Sequence, residues 1–165
     1  MIIQEMILVF LIGSFFGWIF ETIRTGIINK QFTNRGFLKG IYLPIYGFGA
    51  VIVLLISYLD INLFYRILLF LISITLLEFV IGIIFLKNGI KLWDYNWSYN
   101  YKGLVSIYSS FLWLILALIF YFFIFPDIKI ISEVLFKYNI MKVFILLIYF
   151  TIFIDFVTRI KKLFS

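Results

Sequence analysis

Apolar residues in this chain gather into five long runs, Met6 to Thr25, Ile41 to Leu59, Leu63 to Leu86, Leu104 to Phe125 and Ile140 to Ile160, with most charged residues collected between them. About 20 apolar residues at about 1.5 Å of rise each match the hydrocarbon thickness of a bilayer. The pattern therefore predicts an all-α, polytopic integral membrane protein: one transmembrane domain over residues 1–165, built as a bundle of about five transmembrane helices. The first run has no basic region before it and no small-residue cleavage site after it, so it is expected to stay in place as an uncleaved helix.

Two connections carry patterns of their own. After Pro126, Ile128, Ile131, Val134, Leu135 and Tyr138 recur at helical spacing, while Glu133 and Lys137 form an i, i+4 pair on another face. This predicts a short, separate helix lying on the outer membrane surface. Before the fourth run, Trp93, Tyr95, Trp97, Tyr99 and Tyr101 take every second position. Period two predicts an extended segment with aromatic rings at headgroup level and a row of hydrogen-bonding groups on the other edge.

Five crossings put the two termini on opposite sides of the membrane. Arg66, Lys129, Lys137 and Lys142 then lie with the N-terminus, and the other ten of the 14 Lys and Arg lie opposite. The positive-inside rule places the N-terminus outside and the C-terminus in the cytoplasm. The net charge of +6 is accordingly a topology signal, and its dispersal through short loops argues against a nucleic-acid partner.

Composition sharpens the class. At 65% hydrophobic and 13% charged residues, with a mean hydropathy of +1.16, too little polar material is present to cover a soluble globule. The absence of Cys and His removes thiol and imidazole chemistry and nearly every zinc, haem or iron–sulfur site, so no cofactor or metal is expected. No Gly-x-x-x-x-Gly-Lys-Ser/Thr loop is present, so any ATP hydrolysis has to come from a separate ATPase subunit. The Ile- and Lys-rich, Ala-poor composition fits a low-GC bacterium, and with it the bacterial cytoplasmic membrane.

An ionisable side chain within a bilayer costs several kcal/mol unless it is paired, protonated or facing a wet cavity. Glu78 lies inside the third run, nine residues before Lys87 and so about 13 Å from its end, with Thr75 and Gly82 on the same face. Glu21 continues an i, i+4 row from Gly13 and Gly17 on the first run, and Asp155 sits on the fifth between Thr151 and Arg159. All three acids fall in the cytoplasmic half of the membrane, on three different helices. Two readings stand: they converge on a polar cavity that Asp94 caps from the loop, or Glu21 and Asp155 pair locally with Arg24 and Arg159. The stretch from Asn34 and Arg35 through Lys39 to Pro44 enters the second run. It is either an anion site at a helix N-terminus or ordinary positive-inside charge with a Gly-rich bend.

These motifs resemble one family. Gly17-Trp18-Ile19-Phe20-Glu21, then Asn34-Arg35-Gly36-Phe37-Leu38 through Pro44-Ile45-Tyr46-Gly47-Phe48-Gly49, then Leu77-Glu78 with Gly82, then Leu92-Trp93-Asp94-Tyr95 with Asn100 and Gly103 are similar to the bacterial membrane family labelled putative ABC-transporter type IV, or CmpB-like permeases. Asp155 looks like the acidic residue of that family's final helix. Asn96-Trp97-Ser98-Tyr99 is more aromatic than the family pattern at that point. The resemblance implies a bacterial permease subunit.

The leading expectation is thus a transport component with a cytoplasm-facing ligand site of Glu21, Asn34, Arg35, Glu78, Asp94 and Asp155. Its expected partners are the lipid bilayer, a separate ATPase subunit and a second copy of the chain. A membrane-embedded enzyme acting on a lipid and a non-catalytic membrane scaffold are the alternatives. No nucleophile and base spacing supports the enzyme.

Overall fold

The structure, a computed structural model, describes residues 2–30 and 36–164. It is helical throughout apart from one loop hairpin and the approach to the second helix. The elements are α1 (Ile2–Asn29), α2 (Pro44–Ser57), α3 (Leu63–Lys87), β1 (Asn100–Tyr101), β2 (Val105–Ser106), α4 (Ile107–Ile119), α5 (Phe125–Lys137) and α6 (Asn139–Phe164). Among the described residues, four continuous helices are long and apolar enough to cross a membrane: Ile2–Ile28, Leu63–Lys87, Ile107–Lys137 and Asn139–Lys162. A multi-pass membrane protein is the result.

The second apolar run differs from expectation. It is helical over only 14 residues, a length of about 21 Å against a hydrocarbon thickness of about 30 Å. Pro44 explains the late start, because the residue before a proline is pushed out of the helical region. Leu43 instead donates its N–H to the Ser14 carbonyl of α1.

The short separate helix expected after Pro126 is not separate. Helical backbone runs without a break from Ile107 to Lys137, passing through a π-helical turn at Phe120–Ile124. There the Phe125 N–H reaches back five residues to the Phe120 carbonyl. Widening the turn just ahead of Pro126 relieves the clash a proline ring makes with the preceding turn, so the helix continues where a regular one would kink.

The chain divides into two compact units, Met1–Gly47 with Ile128–Ser165, and Phe48–Asp127. In the second unit, α3 buries Arg66, Phe70, Ile74, Glu78 and Gly82, a row at strict i, i+4 spacing. On α4, Ser109, Trp113 and Ala117 are buried at the same spacing. These rows are mixed polar and apolar, whereas Leu68, Ile72, Leu76, Val80 and Ile84 of α3 face outward. That inversion follows from the solvent: lipid accepts leucine as well as a core does, so polar and small side chains are the ones that gain by turning inward.

Local signals set the ends of these helices. Asn62 caps α3 by accepting the Tyr65 N–H at 3.1 Å. Ser106 and Ser109 form a reciprocal capping box at the start of α4. Between them, β1 pairs antiparallel with β2, Asn100 opposite Ser106 and Tyr101 opposite Val105. Lys102 and Gly103 both hold positive φ, as a type I′ hairpin turn requires. The aromatic stretch is thus extended only in part, since the hairpin folds its C-terminal half back.

Candidate functional site

Glu78 is 2% exposed, and three uncharged donors reach its carboxylate among the described residues. The Tyr95 hydroxyl donates to Oε1 at 2.7 Å, and the Trp113 indole N–H donates to the same oxygen at 3.0 Å. Ser109 Oγ lies 3.1 Å from Oε2. Every one of these groups belongs to the second unit. The α4 donors stand one turn apart on the face that packs on α3, and the capping box holds Ser109 in place. Tyr95 comes from the loop, which is pinned by its own N–H to the Gly103 carbonyl at 2.9 Å and by Trp93 Nε1 to the Leu104 carbonyl at 2.7 Å. Gly82, one turn beyond Glu78, leaves the room that Trp93 and Leu104 occupy: a Cβ there would lie 3.1 Å from Leu104 and 3.3 Å from Trp93. The aromatic row therefore does more than line a headgroup belt, because its second ring reaches a buried acid. Tyr95 also stacks on Trp97 at 5.4 Å, as period-two neighbours should.

Asp94 is not among the groups on Glu78. It is half exposed and forms an ion pair with Lys91 at 2.7 Å.

In the first unit, Glu21 does pair locally: Arg24 Nη2 lies 2.8 Å from Oε2. The other oxygen accepts the Tyr46 hydroxyl at 2.7 Å. Gly17 makes this possible, since a Cβ at that position would sit inside the Tyr46 ring. The Gly17-x-x-x-Glu21 spacing thus seats the ring at one turn and binds its hydroxyl at the next. Gly17→Ala is expected to expel the ring and destabilise the protein by about 1–3 kcal/mol. A double-mutant cycle with Tyr46→Ala, followed by thermal unfolding in detergent, checks this: in the Tyr46→Ala background the methyl should cost little.

Asp155 forms no hydrogen bond with Arg159 among the described residues. Its Oδ2 instead accepts the backbone N–H groups of Lys39 at 2.8 Å and Gly40 at 3.0 Å, and the Tyr42 hydroxyl at 2.8 Å. In the stretch that reads in sequence as an anion site or a Gly-rich bend, these three donors are taken by this chain's own carboxylate. Burial, then the hydrogen bond and charge of Asp155, push the Tyr42 phenol above the usual tyrosine range. Asn34 and Arg35 lie outside the described residues.

Sequence reading missed Ser109 and Trp113 around Glu78 and Tyr42 and Tyr46 around the other two acids, and it placed Tyr95 in the aromatic row without joining it to Glu78. It also passed over Glu5, a buried acid in the first turn of α1, because it precedes the apolar run. No group of three or more acids that could hold a metal ion occurs among the described residues.

One comparison with known proteins is decisive: the family described as putative ABC-transporter type IV matches residues 8–160. The chain belongs to this family. It is accordingly a component of a membrane transport family, and Glu21, Glu78, Asp94 and Asp155 all lie within the matched span, while Glu5 precedes it. No curated protein and no solved structure matches the chain.

Proposed function

We propose that this family member is the membrane-embedded component of a bacterial transporter in which Glu78 binds a cationic group or relays a proton. One observation carries the reading: a carboxylate sealed inside a membrane-crossing helix and held by tyrosine, tryptophan and serine donors. Such an arrangement places hydrogen-bond donors on a carboxyl group where lipid offers none, and a buried acid of this kind is usually retained for what it binds. Tyr95 supplies access, since among the three described donors it is the one carried by a loop instead of a helix, and its movement would uncover Oε1. In the first unit, Glu21 and Asp155 are the further proposed ligand groups, with Tyr46 and Tyr42 holding them. Asn34 and Arg35 are proposed as ligand groups from the sequence, and Asp94 at the surface of the second unit.

The remaining parts of the proposal rest on the charge distribution and the family. The N-terminus lies outside and the C-terminus in the cytoplasm of a bacterial inner membrane, the chain is a single transmembrane domain, and a separate ATPase subunit and a second copy of the chain complete the transporter.

The test is Glu78→Gln. Glutamine can place its oxygen toward Tyr95 and Trp113 and its amide nitrogen toward Ser109, whose hydroxyl then donates to the Ser106 carbonyl 3.0 Å away. All the described hydrogen bonds survive and the charge alone is lost. Uptake or export in proteoliposomes, assayed with the ATPase that co-purifies in mild detergent, should fall at least about tenfold while expression and melting stay near wild type. Unchanged flux in a folded variant removes Glu78 from the proposal.

A further inference from the structure

Arg66 stands in the first turn of α3, twelve residues and about 18 Å along the helix from Glu78. By sequence it counts as one of the loop-level charges that set topology. The structure puts it inside the second unit, 9% exposed. Nη1 donates to the Tyr121 hydroxyl and Nη2 to the Leu59 carbonyl, each at 2.6 Å, and the guanidinium carbon lies 4.9 Å from the centre of the Tyr121 ring. Nε is buried without a hydrogen-bond partner.

Three features of this setting leave positive charge uncompensated. A guanidinium has five N–H donors and never loses its proton in a protein, and only two of the five are committed here. No carboxylate forms an ion pair with Arg66 among the described residues. Its position at the N-terminal end of a 25-residue helix adds the helix dipole to its own charge, and the first turn holds no acidic residue to offset either. Burying an unpaired cation is costly, and the arrangement is balanced only when an anion joins it.

We infer that Arg66, backed by Tyr121 and the Leu59 carbonyl, is a binding site for a phosphate-bearing anion. The planar fork of the guanidinium matches phosphate oxygens, and the dipole at the start of α3 adds a field of the same sense. Tyr58, Phe64 and Tyr65 are exposed around the start of the same helix, the pattern of an aromatic girdle at headgroup level. The two sources of such an anion are a phospholipid headgroup and free phosphate. Neither depends on what Glu78 does.

The experiment uses the full chain, delipidated in an uncharged detergent, and follows binding by native mass spectrometry with three probes: dioctanoyl phosphatidylglycerol, dioctanoylglycerol and inorganic phosphate. Saturable binding of the phosphatidylglycerol, without binding of the phosphate-free dioctanoylglycerol, is expected. Arg66→Met should weaken it roughly tenfold or more, and Arg66→Lys should weaken it less, keeping charge but losing the fork. Tyr121→Phe, which leaves the guanidinium in place, should bind at least as well as wild type. Displacement by inorganic phosphate at similar concentration assigns the site to free phosphate, and its failure assigns it to the lipid. Wild-type protein that binds neither phosphate probe saturably overturns the inference, with no variant needed. So does Arg66→Met or Arg66→Lys binding as tightly as wild type.

Discussion

Glu78→Ala is expected to cost about 3 kcal/mol or more of stability, the largest loss of any single substitution considered for this protein. Removing the carboxylate strands the Trp113 indole N–H in a buried space, while the Ser109 hydroxyl can turn to the Ser106 carbonyl 3.0 Å away and Tyr95 can swing outward to find water. An unsatisfied buried donor costs about 1–3 kcal/mol, and the space left behind adds to it. Glu78→Gln should cost less than about 1.5 kcal/mol, since it keeps an acceptor toward Tyr95 and Trp113 and converts charge-assisted bonds to neutral ones. The pair separates structure from function: thermal unfolding in detergent should rank wild type, Gln and Ala in that order with a wide gap before Ala, while transport should already be lost in Gln. Equal melting of Ala and wild type would show that the three donors find other partners and that Glu78 does not organise α3, α4 and the loop.

Asp155→Ala should release the loop at residues 39–42 from α6. Two backbone amides and a tyrosine hydroxyl converge on one carboxylate oxygen, and a hydrogen bond to a charged group is worth about 1.5–3 kcal/mol. Amide hydrogen exchange at Lys39 and Gly40 should quicken by roughly 10- to 100-fold, and trypsin should cut after the exposed Lys39 sooner than in wild type. Asp155→Asn should fall between, because its side-chain oxygen still accepts. Tyr42→Phe should leave both amides protected, as it removes one donor and neither amide. Unaltered exchange at both amides in Asp155→Ala would mean that the loop is held by something other than this carboxylate.

The membrane class and the long helices were legible in the sequence because the signal is local: a run of about 20 apolar residues reads as a crossing whatever surrounds it. Glu78 was legible for the same reason, as an acid where the solvent is hydrocarbon. The Gly17 and Glu21 row was legible as a helix face, and Gly82 as a place where a neighbour comes close.

What surrounds each acid was a different matter. Ser109 and Trp113 lie 31 and 35 residues beyond Glu78, and Tyr95 lies 17 beyond it. In sequence Ser109 is an unremarked hydroxyl, Trp113 is one ring among 37 aromatic residues, 22 Phe, 11 Tyr and 4 Trp, and Tyr95 stands out only as a member of the alternating aromatic row, with nothing to tie it to Glu78. Asp155 finds its donors more than 110 residues away, on backbone amides that have no residue identity to read. Arg24 and Arg159 each sit about one turn from an acid, so spacing treats them alike. Packing distinguishes them, because Tyr46 turns Glu21 toward Arg24 while the 39–42 loop takes Asp155.

By itself, the sequence determined which segments leave water, which charges have no place in hydrocarbon, and to which family the chain belongs, since all of these follow from side-chain chemistry taken a few residues at a time. Tertiary structure alone decided that the second run is a short helix, that the helix past Pro126 continues, and which groups compensate each buried charge. A buried charge is stabilised by donors brought to it from distant parts of the chain, and only the packing of the helices says which donors arrive.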